Sequence, residues 1–78
     1  PPSFKLKKGW NLVPYATTDL AITSRDADEY FTGLKWTRAF SYDNATNKFV
    51  GILPVTSDTV ALGQAYWIFV TEDGDLTP

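Results

Sequence analysis

The 78-residue chain is long enough for one domain, with 44% hydrophobic, 15% aromatic and 21% charged residues, a composition typical of a folded protein. At this length only roughly 60 to 65% of the extended chain's surface is buried on folding, so the core needs most of the large apolar side chains. Histidine, cysteine and methionine are absent. The composition therefore excludes disulfides, thiolate catalysis, zinc–cysteine sites and all imidazole chemistry.

The net charge of −2 argues against nucleic-acid binding, because that recognition depends on clustered positive charge. The basic residues Lys5, Lys7 and Lys8 lie close together. An ordinary solvated strand and turn explains this cluster without a ligand. No apolar run approaches the roughly 18 residues that a membrane span needs, so we also expect no membrane insertion.

The N-terminal quarter predicts two strands. Apolar residues alternate with lysines over residues 3–8, which indicates a first strand. Gly9 provides a turn, and the apolar pattern of residues 10–15 indicates a second strand. Residues 16–23 contain threonines and an aspartate and are predicted to be a loop.

A change of period in the next segment predicts one short helix over residues 25–32. Its acidic residues Asp26, Asp28 and Glu29 suit the positive end of the helix dipole. Gly33 fits the left-handed position that ends a helix. Four apolar residues recur at the i, i+3, i+4 and i+7 spacing of a single helix face. They are Ala27, Tyr30, Phe31 and Leu34.

The middle of the chain predicts a β-hairpin. Residues 35–42 alternate as a strand, in which Arg38 either reaches past the core to water or is paired. Residues 43–48 have the aspartate and asparagines of a tight turn, and residues 49–53 form the return strand. Asn44-Ala45-Thr46 also matches the N-glycosylation acceptor, although turn chemistry is sufficient to explain these residues.

The C-terminal part predicts one further strand and an exit. Residues 65–70 are apolar on both faces, which places this strand in the middle of the fold. Residues 71–78 are acidic, with a glycine and a proline, and are predicted to be a linker or tail. The basic start and acidic end of the chain are expected to face each other on neighbouring terminal strands.

These elements predict a single small β domain over residues 1–78. The expected fold is mainly β with one short helix, a small antiparallel sandwich or partly open barrel of about five or six strands. The helix is expected to cover one end of the core.

Many residues along the chain form a pattern that resembles a known family of small β domains. They are Leu6, Gly9-Trp10-Asn11-Leu12-Val13-Pro14, Phe31, Trp36, Phe40-Ser41-Tyr42-Asp43, Thr46, Phe49 and Leu62-Gly63-Gln64-Ala65-Tyr66-Trp67-Ile68. The pattern is similar to the G-W-N to G-x-Y-W type of domain, which is appended to or repeated within secreted and cell-surface proteins of bacteria and archaea. Here Gly63 and Tyr66 are one residue further apart than in the tightest form of the motif.

The resemblance implies an extracellular or cell-surface accessory module and identifies no binding residue. No signal peptide is present in the chain, so the localisation depends on the resemblance alone. The partners that it implies are neighbouring domains of a parent protein, with a polysaccharide or a protein partner as alternatives.

Large aromatic residues divide into expected core anchors and candidate ligand contacts. Trp10 and Trp67 are predicted to pack in the core on adjacent strands. The aromatic residues least obviously required in the core are Tyr15, Trp36 and Tyr66. Tyr66 is next to Trp67 in the predicted strand, so its side chain lies on the opposite face. Two alternatives remain for these three residues: they help to complete the small core, or they are exposed and stack against sugar rings.

The chain is predicted not to be an enzyme and to hold no cofactor or metal. Asp26, Asp28 and Glu29 with Asp19 or Asp58 are the best candidates for a two-carboxylate acid–base site. Helix-dipole complementation explains the helical carboxylates without catalysis. Without histidine or cysteine, a serine or threonine nucleophile lacks its usual activating base. Short acidic segments elsewhere do not complete a calcium loop.

Three classes of function remain, and structure distinguishes them. A structural or spacer module, the leading prediction, has its aromatic residues mostly inside and no shared groove. A carbohydrate-binding module has two or more coplanar exposed aromatic rings with polar neighbours. A protein-interaction module has a long unprotected sheet edge, for which Lys48–Val55 is the candidate.

Overall fold

The computed structural model describes residues 3–17, 19–56 and 58–78 and contains eight strands and one helix in that part of the chain. In chain order they are β1 (Phe4–Leu6), β2 (Gly9–Pro14), β3 (Ser24–Asp26), α1 (Ala27–Tyr30), β4 (Trp36–Asp43), β5 (Lys48–Ile52), β6 (Thr59–Ala61), β7 (Ala65–Val70) and β8 (Gly74–Leu76). The mainly β fold with one short helix is confirmed. The number of strands is corrected from five or six to eight.

The strands form three antiparallel sheets, and the described strands do not close into a barrel. A four-stranded sheet has the order β2-β7-β4-β5, and β1-β8 and β3-β6 are two-stranded sheets. The five predicted strands are all present, and β7 is an inner strand as expected. The additional strands β3, β6 and β8 have three residues each, which is too short for an alternating pattern to be recognised.

Helix α1 is shorter than the predicted span of 25–32 because strand pairing occupies the residues before it. Asp26 belongs to β3 and also caps the helix, accepting a hydrogen bond from the Asp28 N–H at 3.0 Å. Gly33 has φ +89° directly after the last turn, as its predicted position requires. With four residues, α1 cannot span a membrane, and no helix within the described ranges is long and apolar enough to do so.

The predicted hairpin of β4 and β5 is confirmed, with its strands paired from Asp43↔Lys48 to Ala39↔Ile52. The Asp43 Oδ1 atom accepts a hydrogen bond from the N–H of Ala45 at 2.9 Å. Asn47 has φ +56°, the left-handed conformation that asparagine tolerates better than most residues. Local turn chemistry therefore sets this register.

The two ends of the chain meet in the sheet of β1 and β8, as the charge pattern predicted. Lys5 lies opposite Asp75 in this sheet, and the Lys7 Nζ atom lies 3.8 Å from an Asp73 carboxylate oxygen. Leu76 is fully buried. Residues 74–76, assigned above to a linker or tail, are therefore a paired strand of the folded domain.

The core lies on one side of the four-stranded sheet and forms a single cluster of buried residues. It joins the inner face of that sheet to α1 and to one residue from each of β1, β6 and β8. The buried residues are Leu6, Val13, Tyr15, Ala27, Tyr30, Phe31, Ala39, Ile52, Val60, Tyr66, Ile68, Val70 and Leu76. The opposite face of the sheet is therefore left outside this cluster.

Candidate functional site

Strand β7 divides its apolar residues between the two sides of the sheet. Tyr66, Ile68 and Val70 are buried, whereas Trp67 between them is 45% exposed. Trp10 on the neighbouring strand β2 is also 45% exposed. The prediction that these tryptophans lie on adjacent strands is confirmed, but the prediction that they lie in the core is wrong. The core contacts of β7 come from Tyr66, Ile68 and Val70, which lie on the opposite face of the sheet from Trp67.

The three candidate ligand contacts lie in or against the core, as in the first of the two predicted alternatives. Tyr15 and Tyr66 are only 4% and 3% exposed. The Tyr15 hydroxyl donates to the Ile22 carbonyl at 3.1 Å, and the Tyr66 hydroxyl accepts from the Ala61 N–H at 2.8 Å. Trp36 is half-buried against the core. These three residues therefore help to complete the core and do not form a shared exposed surface.

The outer side of the four-stranded sheet is almost entirely apolar. Residues opposite each other in register include Leu12 with Trp67 and Trp67 with Phe40, so their side chains share one face. We call this surface the aromatic face. It consists of Trp10, Leu12, Arg38, Phe40, Tyr42, Phe49, Trp67 and Phe69.

A groove of about 550 Å³ lies in the aromatic face and is lined by Trp10, Phe40, Phe49 and Trp67. Gly51 lies opposite Phe40 in register and adds no side chain to the face. The Phe40 ring passes within 3.6 Å of the position that a Cβ atom of Gly51 would occupy. Four aromatic side chains from four strands therefore enclose one apolar site.

The rings of the aromatic face are inclined to one another. Trp10 and Phe40 have centroids 5.8 Å apart and an interplanar angle of 35°. Trp10 with Phe69 and Tyr42 with Phe49 are edge-to-face pairs at 73°. This geometry is typical of aromatic packing within a core, and it differs from the coplanar arrangement expected of a flat sugar platform.

Arg38 is the one charged residue of the aromatic face. Its guanidinium carbon lies 5.3 Å from the ring centroid of Trp10 and 5.3 Å from that of Phe69. Such contacts hold a guanidinium over aromatic rings while its side chain stays exposed. Within residues 3–17, 19–56 and 58–78 it has no ion-pair partner. Of the two predicted alternatives, Arg38 therefore follows the one that reaches solvent.

The candidate catalytic carboxylates are used in local structure. Four of them accept a backbone N–H at 2.8 to 3.3 Å. The acceptor–donor pairs are Asp19 with Ala21, Asp26 with Asp28, Asp28 with Val55 and Asp58 with Leu53. Glu29 forms an ion pair with Arg25 at 3.9 Å. Among the described residues no three acidic side chains gather as a potential metal site.

The predicted open edge is present but shorter than expected. Strand β5 is one of the two edge strands of the four-stranded sheet, with β2 at the other edge, and its residues are exposed except Ile52. The strand ends there, and Val55 has φ +57°, which is incompatible with a continued extended strand. The edge available to a partner is therefore Lys48–Ile52, next to Phe49 of the aromatic face.

Comparisons of the chain with family models, curated proteins and solved structures found no match. The resemblance described from the quoted residues therefore stays a prediction. The aromatic face cannot be recognised from the sequence, because β7 is apolar on both sides and alternation alone does not show which side is covered.

Proposed function

We propose that the domain is a non-catalytic accessory module of a larger secreted or cell-surface protein, and that it docks against another protein through the aromatic face. The supporting observation is the apolar groove between Trp10, Phe40, Phe49 and Trp67. An apolar face of a sheet is normally covered by a second layer. In the described part of this chain only the inner face is covered, so a partner supplies the missing layer.

The alternative of a plain spacer has less support. A spacer was expected to keep its aromatic residues inside and to have no shared groove. Instead, Trp10 and Trp67 are half exposed and line one groove with Phe40 and Phe49. Contiguous apolar surface of this kind marks interaction sites in soluble proteins.

Carbohydrate binding is the second candidate, because the half-exposed rings of Trp10 and Trp67 could stack on sugars. Sugar recognition also needs polar groups that take the hydroxyls. The four groove residues offer only two indole N–H groups, and the Trp10 and Phe40 rings are inclined to each other by 35°. The chemistry of the groove therefore favours apolar side chains over a glycan.

The open edge of β5 supports the same class of partner. Phe49 belongs to both the groove lining and this edge strand. A protein segment that covers the aromatic face therefore also lies beside unpaired backbone groups of Lys48–Ile52, where it can add a strand. A glycan has no equivalent means of pairing with a sheet edge.

The test is an NMR titration of the ¹⁵N-labelled domain that follows the indole N–H signals of all three tryptophans. The probes are anilinonaphthalene sulfonate, an anionic dye whose aromatic body binds exposed apolar surfaces, and a panel of soluble cell-wall and storage polysaccharides. We expect the dye to shift Trp10 and Trp67 with saturation and to leave Trp36 unchanged. In Trp67→Ser the dye should no longer shift the Trp10 indole signal. In Val50→Ser, a change on β5 outside the groove lining, the shifts of both Trp10 and Trp67 should remain.

Two results of this titration would contradict the proposal. If the dye leaves Trp10 and Trp67 unmoved, the aromatic face is not an accessible apolar surface. If a polysaccharide gives saturating shifts at the same two indoles, the domain is a glycan-binding module instead.

A further inference from the structure

We infer that the protein partner presents a carboxylate next to a large apolar side chain, and that Arg38 binds this carboxylate while the apolar side chain fills the groove. This inference rests on the proposed docking function and names the chemistry of the partner. It follows from the position, the orientation and the charge of Arg38.

The guanidinium of Arg38 is held in place before any partner binds. It lies at the same 5.3 Å distance from the Trp10 and Phe69 rings, which belong to neighbouring strands. The planar guanidinium has N–H donors around its edge, and these suit the two oxygens of a carboxylate. A side chain fixed by two rings loses less conformational freedom on binding.

Charge complementarity selects an acidic protein partner. Arg38 gives the aromatic face a positive charge, although the whole chain has a net charge of −2. A second copy of this domain, packed face to face, would add a second Arg38 and offer no carboxylate from its aromatic face. We therefore assign the face to a different protein segment with its own Asp or Glu.

The spacing between the two parts of the site defines the segment further. Trp10 contacts Arg38 on one side and lines the groove on the other. Arg38 and Phe40 are two residues apart on one face of β4, a separation of about 7 Å in an extended strand. An extended partner segment matches this spacing when its acidic residue lies two positions from its apolar residue.

The experiment compares two pentapeptides with an acetylated N-terminus and an amidated C-terminus, Ala-Phe-Thr-Glu-Ala and Ala-Phe-Thr-Gln-Ala, so that the glutamate side chain is the only carboxylate and is absent from the second peptide. Each is titrated at low salt into the labelled domain while the Trp10 and Trp67 indoles are observed. We expect the glutamate peptide to bind about three- to tenfold more tightly, a preference that weakens as salt is added. Arg38→Gln should abolish the preference, and Arg38→Lys should keep part of it.

Arg25→Gln is the matched control, because Arg25 is paired with Glu29 and lies outside the aromatic face. It should keep the full preference for the glutamate peptide. Dispersed amide spectra of each variant show that it is folded, and Arg38→Lys tests the inference if Arg38→Gln does not fold.

The possible results separate the two proposals. Equal binding of both peptides at the indoles would overturn the role of Arg38 and leave the docking function standing. No indole shift with either peptide would count against both proposals. Arg38-dependent binding of oligogalacturonate, with no binding of either peptide, would overturn the protein partner in favour of an acidic glycan.

Discussion

Tyr30 shows how a single residue joins separate parts of this small core. Its hydroxyl donates to the Pro14 carbonyl at 3.0 Å and accepts from the Ala16 N–H at 2.9 Å. Its ring lies 4.9 Å from that of Tyr15. Both hydrogen-bonding capacities of the buried hydroxyl are used, so α1 is tied to the chain that follows β2.

Tyr30→Phe should lower the free energy of unfolding by about 1 to 3 kcal/mol, because it leaves the Pro14 carbonyl and the Ala16 N–H without their partner. Urea denaturation followed by circular dichroism measures the change. Tyr42→Phe is the control, since Tyr42 lies exposed on the aromatic face, and its effect should be close to zero. Equal losses in the two variants would contradict this account.

At the scale of elements, the parts predicted well are those that depend on nearby residues. The turn between β4 and β5 uses Asp43 and Asn47, and Gly33 ends the helical turn. Each of these residues acts on backbone only a few positions away in the chain. Strands β3, β6 and β8 were missed because each exists through pairing with a distant segment, as Ser24–Asp26 does with Thr59–Ala61.

Asn47→Ala should destabilise the hairpin by about 1 kcal/mol, because alanine is strained at φ +56°. Asn47→Gly should be neutral or slightly stabilising, since glycine adopts this conformation without strain. Asn44→Ala is the control within the same turn. Thermal denaturation of the three variants gives their order of stability, and a loss in Asn44→Ala as large as that in Asn47→Ala would argue against backbone strain as the cause.

For the whole molecule, the two faces of the four-stranded sheet have different roles. The inner face shares one core with α1 and with residues of the two small sheets. The outer face presents large aromatic side chains too, but it remains open in the described structure. Folding therefore uses one face, and the proposed docking function uses the other.

Global stability should fall in alkaline solution. Burial raises the pKa of the hydroxyls of Tyr30 and Tyr66 above the ordinary value of 10.0, although hydrogen bonds from Ala16 and Ala61 oppose the effect. In the unfolded chain both hydroxyls lose their protons near pH 10, whereas in the folded chain they keep them to higher pH. This contribution to stability is complete below pH 10 and is lost as pH rises through the raised pKa values.

Urea unfolding at a series of pH values from neutral to above 10.0 measures this dependence. In Tyr30→Phe only the Tyr66 contribution remains, so the fall in stability with pH should be shallower than in the wild type. A wild-type stability that stays flat or rises in this range would show that the two hydroxyls do not titrate as their burial requires.

The sequence by itself determined the single β domain, the short helix, the central hairpin and the meeting of the charged chain ends. The first three follow from composition, local periodicity and turn chemistry, and the last follows from the opposite charges of the two chain ends. Only the tertiary structure decided that Tyr66 and Ile68 lie inside and that Trp67 lies outside. The physical reason is that β7 is apolar on both faces, so its orientation is set by which face α1 and the smaller sheets cover, through contacts between residues far apart in the chain.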